Sequence, residues 1–268
     1  MHFHALDRYV DSSSPIHRLD PRVKLGCALA LIVSTALLPD RAWGAFLVSL
    51  VIGIAIAITA RLGPLYAVIR SAVGLPFLAA ALTLLFTTPG SAILDLAFGP
   101  ARVLVTDAGL IRFVSIAARS LLSLQIAIVL TATTHFPDLL HALRHFGVPA
   151  IIVSVVSLMY RYLFVLVDEA GRLLRARAAR SAVAAGHRTG GTVTWRGQVA
   201  GAMVGQLFIR SYERSDRVYQ AMLARGMDGT YPILHAHAFA REDAFAIGTI
   251  AIATVLPWIV ARGATGLV

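Results

Sequence analysis

The stretch AWGAFLVSLVIGIAIAITA, residues 42–60, contains no charged side chain. About 20 apolar residues are needed for a helix to cross the hydrocarbon core of a bilayer, and this stretch approaches that length. The whole chain of 268 residues is 57% hydrophobic and only 14% charged, whereas soluble domains carry about 25% charged residues. The composition therefore predicts a polytopic membrane protein of the all-α class.

Outward from this stretch, other apolar runs have the length of a membrane span. Turn-forming sequences around Pro39, Pro64 and Pro89 separate the first of them. Residues 91–106 are predicted to form a loop or a short interfacial helix. Together with 42–60, the predicted spans number about five, and the others are 23–39, 65–88, 107–134 and 243–261.

A further apolar run, PAIIVSVVSLMYRYLFVLV at 149–167, carries Arg161 near its centre. A central arginine costs about 2.5–3.5 kcal/mol on insertion scales. We therefore predict that this run lies in or just under the membrane interface and leads into a soluble part.

The arginines predict the orientation of the chain. The net charge of +10 comes from 23 Arg and one Lys, and the arginines concentrate after the fourth span. Because basic residues accumulate on the cytoplasmic side of membrane proteins, the N-terminus and residues 135–241 are predicted to be cytoplasmic, and the C-terminus to lie outside. The predicted parts are 1–134 with four spans, 135–241 as a cytoplasmic module, and 242–268 with the last span.

Two long helices are predicted in the cytoplasmic module, at about 168–185 and 196–225, on either side of the break GHRTGGTVT at 186–194. The second has an apolar-to-small stripe that includes Phe208, Tyr212 and Met222. Each helix ends near an arginine between small residues, which leaves the guanidinium free to bond carboxylates or backbone carbonyls of a partner. The alternative is that these are ordinary solvated arginines at helix ends. The two triplets are Ala179-Arg180-Ser181 and Ala224-Arg225-Gly226.

Several catalytic classes lack their motifs. A P-loop needs a lysine after its glycine-rich turn, but the only lysine, Lys24, lies in PRVKL. The chain contains neither HExxH nor GxSxG, so no catalytic residue is assigned and an intramembrane enzyme is disfavoured. Spans one to three contain no carboxylate, which disfavours a self-sufficient carrier. Arg119 in the fourth span needs a partner, such as Gln125 or a helix carbonyl.

Possible metal ligands are sparse. His2 with His4 and His235 with His237 form two His-x-His pairs, and His141 lies one helical turn before His145, after Asp138. We interpret the two His-x-His pairs as interfacial polar residues, His141 and His145 as part of a polar helix face, and Cys27 as a packing residue, so no metal or cofactor is assigned. The arginine-rich helices lack an aromatic stacking platform, which disfavours nucleic acid as a partner.

Five stretches occur in the order found in a known transporter family, and they cover most of the chain. They are HRLDPRVKL (17–25), TATTHFPDLLHALRHFGVP (131–149), YRYLFVLVDEA (160–170), ARAARS (176–181) and ERSDRVYQAMLARGMDG (213–229). With them the chain resembles the CbiQ-type transmembrane T component of energy-coupling factor transporters.

This resemblance implies a scaffold subunit without chemistry of its own. Its cytoplasmic helices would cross, and Arg180 and Arg225 would each dock on one subunit of an ATP-binding cassette ATPase dimer. The membrane part would hold a small substrate-binding membrane subunit, which ATP-driven motion reorients. The N-terminal block around Leu6–Tyr9 and Ser14–Arg18 resembles the cobalt branch, and nickel and vitamin transporters remain the alternatives.

Overall fold

The computed structural model describes residues 9–98, 101–180, 192–227, 229 and 241–265. These residues are predominantly helical and divide into two compact units. The bundle unit comprises the described residues within His2–Ala142 and His235–Val268. The helix-pair unit comprises the described residues within Leu143–Leu234.

The bundle unit begins with a short helix and continues with longer apolar helices, a strand pair and a last helix near the C-terminus. Its elements are α1 Pro15–Arg18, α2 Pro21–Ala36, α3 Trp43–Thr59, α4 Pro64–Arg70, a 3-10 turn Ser71–Gly74, α5 Leu75–Ala81, α6 Leu84–Thr87, β1 Ala92–Phe98, β2 Ala101–Thr106, α7 Asp107–Thr133, α8 Phe136–His145 (which extends into the helix-pair unit) and α11 Arg241–Thr265. The helix-pair unit contains α9 Ala150–Arg180 and α10 Val193–Ala224.

The segment 91–106 is a β-hairpin, so the prediction of a loop or a short interfacial helix was wrong. Strands β1 and β2 pair antiparallel, from Phe98 opposite Ala101 to Ala92 opposite Thr106. The apolar and β-branched residues of these strands favour extended backbone. The sequence pattern indicated a connection between helices because long apolar segments lie on both sides of it.

Four helices among the described residues are long and apolar enough to cross a membrane. They are Leu65–Thr87, Asp107–Thr133, Ala150–Arg180 and Arg241–Gly263. Helix α3 is apolar but has only 17 residues, and α2 has 16. Within the predicted span 65–88 the backbone stays helical but passes through a 3-10 turn at Ser71–Gly74 just before Pro76, which lacks the N–H group that an uninterrupted α-helix needs.

Helix α9 runs without a break from Ala150 to Arg180. The predicted boundary near residue 168, between an interfacial helix and a cytoplasmic helix, was therefore wrong. The apolar and the basic parts join because the sequence between them contains no proline and only one glycine, Gly171. By length and composition α9 can span a membrane, and its placement at the interface stays a prediction.

Apolar side chains cover the outside of the bundle unit, while small and polar ones fill much of its inside. Phe77 and Phe245 are among the most exposed large side chains, whereas Ser115 and Gln125 are buried. A water-soluble domain would show the reverse. This distribution suits a surface in contact with lipid, and it agrees with the membrane prediction.

Helix α7 is the centre of the bundle unit: it packs against α2, α3, α4 and α6, and α11 packs against α2 and α3. Buried alanines at these contacts allow close approach of the helices. At Gly109 the approach is so close that a Cβ atom would lie 2.9 Å from the carbonyl oxygens of Leu84 and Leu85.

Polar contacts also join the helices of the bundle. Ser34 of α2 donates to the carbonyl of Thr254 (2.9 Å), and Trp258 donates to the Ser34 hydroxyl (3.2 Å). These bonds lie beside Pro257, which interrupts the hydrogen bonding within α11. Arg119 pairs with Asp40, so the expected partner for Arg119, Gln125 or a helix carbonyl, was wrong. The loop before α3 supplies the carboxylate instead.

Lys24 is the polar hub of the bundle. Its side chain is almost fully buried, and its ammonium donates to the carbonyls of His17 (3.0 Å) and Thr133 (3.1 Å). The carboxylates of Asp138, Asp20 and Asp243 are near enough to act on it electrostatically. Lys24 thus connects the start of α2 with the ends of several other elements. In addition, Asp243 accepts from the Asp20 backbone N–H at 2.8 Å.

A methyl group at Gly109 should destabilise the bundle. We expect Gly109→Ala to lower the free energy of unfolding by about 1–3 kcal/mol, because two rigid backbone carbonyls must give way. Gly248→Ala is the matched control, since a Cβ atom at this helical position meets nothing within 4 Å. Thermal unfolding in detergent measures both variants, and an equal effect of the two would contradict the packing argument.

Replacing the buried lysine should cost more than replacing most surface residues. Lys24→Met leaves two carbonyls without their donor and removes the positive charge that acts on nearby carboxylates, so we expect a loss of about 3–5 kcal/mol of stability. Lys24→Arg keeps the charge and should lose less. The midpoints of unfolding of the two variants would be compared in one detergent. A Met variant as stable as the Arg variant would contradict a stabilising role for the charge of Lys24.

Candidate functional site

Helices α9 and α10 of the helix-pair unit run antiparallel. Near one end the Ser154 hydroxyl donates to the carbonyl of Gly229, at 3.2 Å. Towards the other end the Arg177 guanidinium lies 5.9 Å from the centre of the Trp195 ring. Helix α10 begins where the Thr192 side chain accepts from the backbone N–H of Trp195, which is the N-cap arrangement.

The first predicted site, Ala224-Arg225-Gly226, lies at the C-terminus of α10. Met227 N–H donates to the carbonyl of Met222 (3.1 Å) and Gly226 N–H to that of Leu223 (2.9 Å). Gly226 has φ +73°. This is a Schellman cap, which requires a left-handed residue at the position of Gly226. The cap holds the Arg225 backbone, and all three residues are exposed.

The second predicted site lies at the C-terminus of α9. Arg180 is the last residue of that helix, and both Ala179 and Arg180 are exposed. Ser181 lies outside the described residues. The two arginines are therefore found at opposite ends of the antiparallel pair, and the structure does not bring them together.

Arg180 and Arg225 differ in their surroundings from the arginine of one other triplet in the chain that has an arginine between small residues. Arg119 of Ala118-Arg119-Ser120 is half-buried and engaged by Asp40. Neither Arg180 nor Arg225 forms an ion pair with a carboxylate in the described part of the chain. Their charges are available to a partner, which the spacing alone could not establish.

A groove of about 510 Å³ lies between α9 and α10. The predicted stripe of α10, which includes Phe208, Tyr212 and Met222, faces α9 along this groove. Most of the lining is apolar, and it includes one arginine, Arg214. The lining residues are Val155, Leu158, Met159, Tyr162, Val165, Leu166, Phe208, Ser211, Tyr212, Arg214, Ser215, Val218, Tyr219 and Met222.

Sequence reasoning missed the carboxylate that joins the two helices. Glu169 accepts from Arg210 of α10 through Oε1, at 2.7 Å from Nη1, and pairs through Oε2 with Arg172 on its own helix. The contact between Glu169 and Arg210 spans 41 positions, so no local pattern indicates it.

The histidines show no metal-ligand geometry in the described residues. There, no group of three His, Cys, Asp or Glu side chains is close enough to hold an ion. His141 lies in the bundle unit, with its Nε2 atom 2.9 Å from Nη2 of Arg22. His2, His4, His235 and His237 lie outside the described residues.

Comparison with known proteins places the chain among transport proteins. The family model CbiQ, described as cobalt transport protein, matches residues 12–235. The energy-coupling factor transporter transmembrane protein EcfT of Acidaminococcus fermentans is 26% identical over 257 residues, which cover 89% of this chain and 90% of the relative.

Two other relatives match a smaller part of this chain. The cobalt transport protein CbiQ of Rhodobacter capsulatus is 30% identical over 155 residues, covering 58% of this chain and 61% of the relative. An uncharacterized protein of Methanocaldococcus jannaschii is 27% identical over 172 residues, covering 64% of this chain and 56% of the relative. The match thus spans less than two thirds of these two relatives.

The family match covers most of the chain, and the relatives named CbiQ and EcfT agree with the order of the five sequence stretches. The long apolar helices agree with a place in the membrane. The chain therefore belongs to the CbiQ family of cobalt transport proteins, as a T component of the CbiQ/EcfT type.

Proposed function

We propose that this chain is the coupling subunit of an energy-coupling factor importer for cobalt ions, feeding cobalamin biosynthesis. It passes the motion of an ATP-binding cassette ATPase dimer to a small substrate-binding membrane subunit. The observation that carries the proposal is the pair of exposed arginines, Arg180 and Arg225, at the two ends of the antiparallel helices.

The chemistry of arginine suits this docking role. A guanidinium offers five N–H donors in a planar fork, which can bind carboxylates or backbone carbonyls in a partner's groove. The small neighbours Ala179, Ala224 and Gly226 leave room for the walls of that groove. A lysine would present a single strongly hydrated charge and would fit such a site less well.

The energy must come from a partner under this proposal. The chain has no P-loop motif, and its one lysine is the buried hub of the bundle. The subunit accordingly has no chemistry of its own, and cobalt is the cargo of the complex. The name of the Rhodobacter capsulatus relative supports cobalt, while nickel and vitamins are the alternative cargoes.

The proposed location is the cell inner membrane, with the coupling module on the cytoplasmic side. The arginines of 135–241 support this orientation by the positive-inside rule. The division into 1–134 with four spans, 135–241 as coupling module and 242–268 as the last span belongs to the same proposal.

Reversing the charge of either docking arginine should uncouple the complex. We expect Arg180→Glu and Arg225→Glu each to lower ATP-driven cobalt uptake by at least about tenfold, because a carboxylate repels the acceptors that bound the guanidinium. The membrane fold should remain, since both side chains are exposed. Uptake into proteoliposomes with the complete complex measures the effect, with ATP hydrolysis recorded in parallel.

Arg175→Glu serves as the matched control, because Arg175 is another exposed arginine on α9 and has no proposed docking role. Normal uptake by both charge-reversed variants would overturn the coupling role of the triplets. Purification of the native complex would identify the partners, and cobalt uptake by this chain alone would favour a self-sufficient carrier.

A further inference from the structure

The two long helices carry a large excess of positive charge. Helices α9 and α10 together contain nine arginines and four carboxylates, a net charge of +5. Like charges on packed helices repel one another, and the effect is stronger where side chains are shielded from water. An antiparallel pair of this composition needs a compensating contact where the helices approach.

Glu169 provides that contact. Its side chain is only 12% exposed, although the arginines on either side are about half exposed, at 57% for Arg172 and 48% for Arg210. Each carboxylate oxygen accepts from a different helix, Oε2 from α9 and Oε1 from α10. One carboxylate thus holds two guanidiniums that would otherwise face each other.

An ion pair elsewhere among the described residues of this unit differs from that of Glu169. Glu213 and Arg217 lie on the same helix, 4.0 Å apart, and both are well exposed. Such a pair is worth a few tenths of a kcal/mol and constrains nothing between helices. Among the described residues, the ion pair between Glu169 and Arg210 is the one that crosses from α9 to α10.

The contact between Glu169 and Arg210 lies far from both helix ends that carry the docking arginines. Arg180 follows Glu169 by 11 residues on α9, and Arg225 follows Arg210 by 15 residues on α10. At 1.5 Å per residue, the two docking arginines lie about 16 Å and about 22 Å from the contact, in opposite directions. A small rotation at the contact therefore changes the separation of Arg180 and Arg225.

We propose that Glu169 is a positioning residue that fixes the crossing of α9 and α10 and thereby sets the separation of Arg180 and Arg225. The effect on the helix crossing follows from the geometry of this chain alone. The effect on coupling rests on the proposed function, because it requires that both arginines dock on the ATPase dimer.

A distance measurement on the full chain tests the helix crossing. Spin labels at Leu174 and Leu223, both exposed and on opposite sides of the contact, would be introduced with Cys27 replaced by serine. We expect one narrow distance distribution for the parent chain. Glu169→Gln should widen it by about twofold or shift it, because two guanidiniums then face each other without a counter-charge.

Arg210→Gln is the second variant, because it breaks the link between the helices and leaves the pair with Arg172 in place. It should widen the distribution as well, and it keeps the test open if Glu169→Gln fails to fold. Glu213→Gln is the matched control, and it should leave the distribution unchanged. A parent-like distribution in Arg210→Gln, or in Glu169→Gln where that variant folds, would overturn the proposal.

The complete complex tests the consequence for coupling. We expect Glu169→Gln to reduce the cobalt imported per ATP hydrolysed, while Arg180 and Arg225 remain intact. If the charge-reversed variants of Arg180 and Arg225 transport normally, the proposed function fails, yet a widened distribution would still support Glu169 as the residue that fixes the crossing. If those variants are uncoupled and the Glu169 variant has both a parent-like distribution and normal coupling, only the positioning role fails.

Discussion

The bundle depends on how one buried cation is satisfied. Placing an ammonium in an apolar interior is costly, so Lys24 must have its hydrogen-bond acceptors and counter-charges supplied by the surrounding structure. The carbonyls of His17 and Thr133 and the nearby carboxylates meet this need. They come from segments far apart in the sequence, so satisfying Lys24 also brings those segments together. Buried polar residues elsewhere in the bundle, such as Ser115 and Gln125, lie among apolar core residues and must be satisfied in the same way.

The helix-pair unit solves a different electrostatic problem. Its arginines suit docking to a partner, but their mutual repulsion works against the packing of the two helices. The structure separates the two roles. Exposed arginines at the helix ends keep their charge available, whereas arginines near the crossing share the largely buried carboxylate of Glu169. The arginines that stabilise the helix pair and the arginines whose charge is available to a partner thus occupy different positions on the same helices.

Sequence alone predicted the features that depend on local pattern. The apolar runs gave the spans at 107–134 and 243–261, and the glycine at 226 gave the end of α10. Features that depend on distant partners were missed, such as the pairs of Arg119 with Asp40 and of Glu169 with Arg210. The hairpin at 92–106 was missed because its short apolar strands lie between long apolar helices. The boundary placed near 168 was wrong because a change from apolar to basic composition does not interrupt backbone hydrogen bonds.

The cap at the end of α10 has a consequence for how a partner can approach. After Gly226 the chain folds back, so that Met227 bonds to the last helical turn instead of continuing along the helix axis. The backbone as far as Met227 therefore turns back onto the last helical turn and does not extend beyond Arg225 along the helix axis. Under the proposed docking of Arg225, the cap fixes the direction in which the last turn of α10 meets its partner. A residue with a side chain at 226 would strain this reversal and tilt that direction even if Arg225 itself were unchanged.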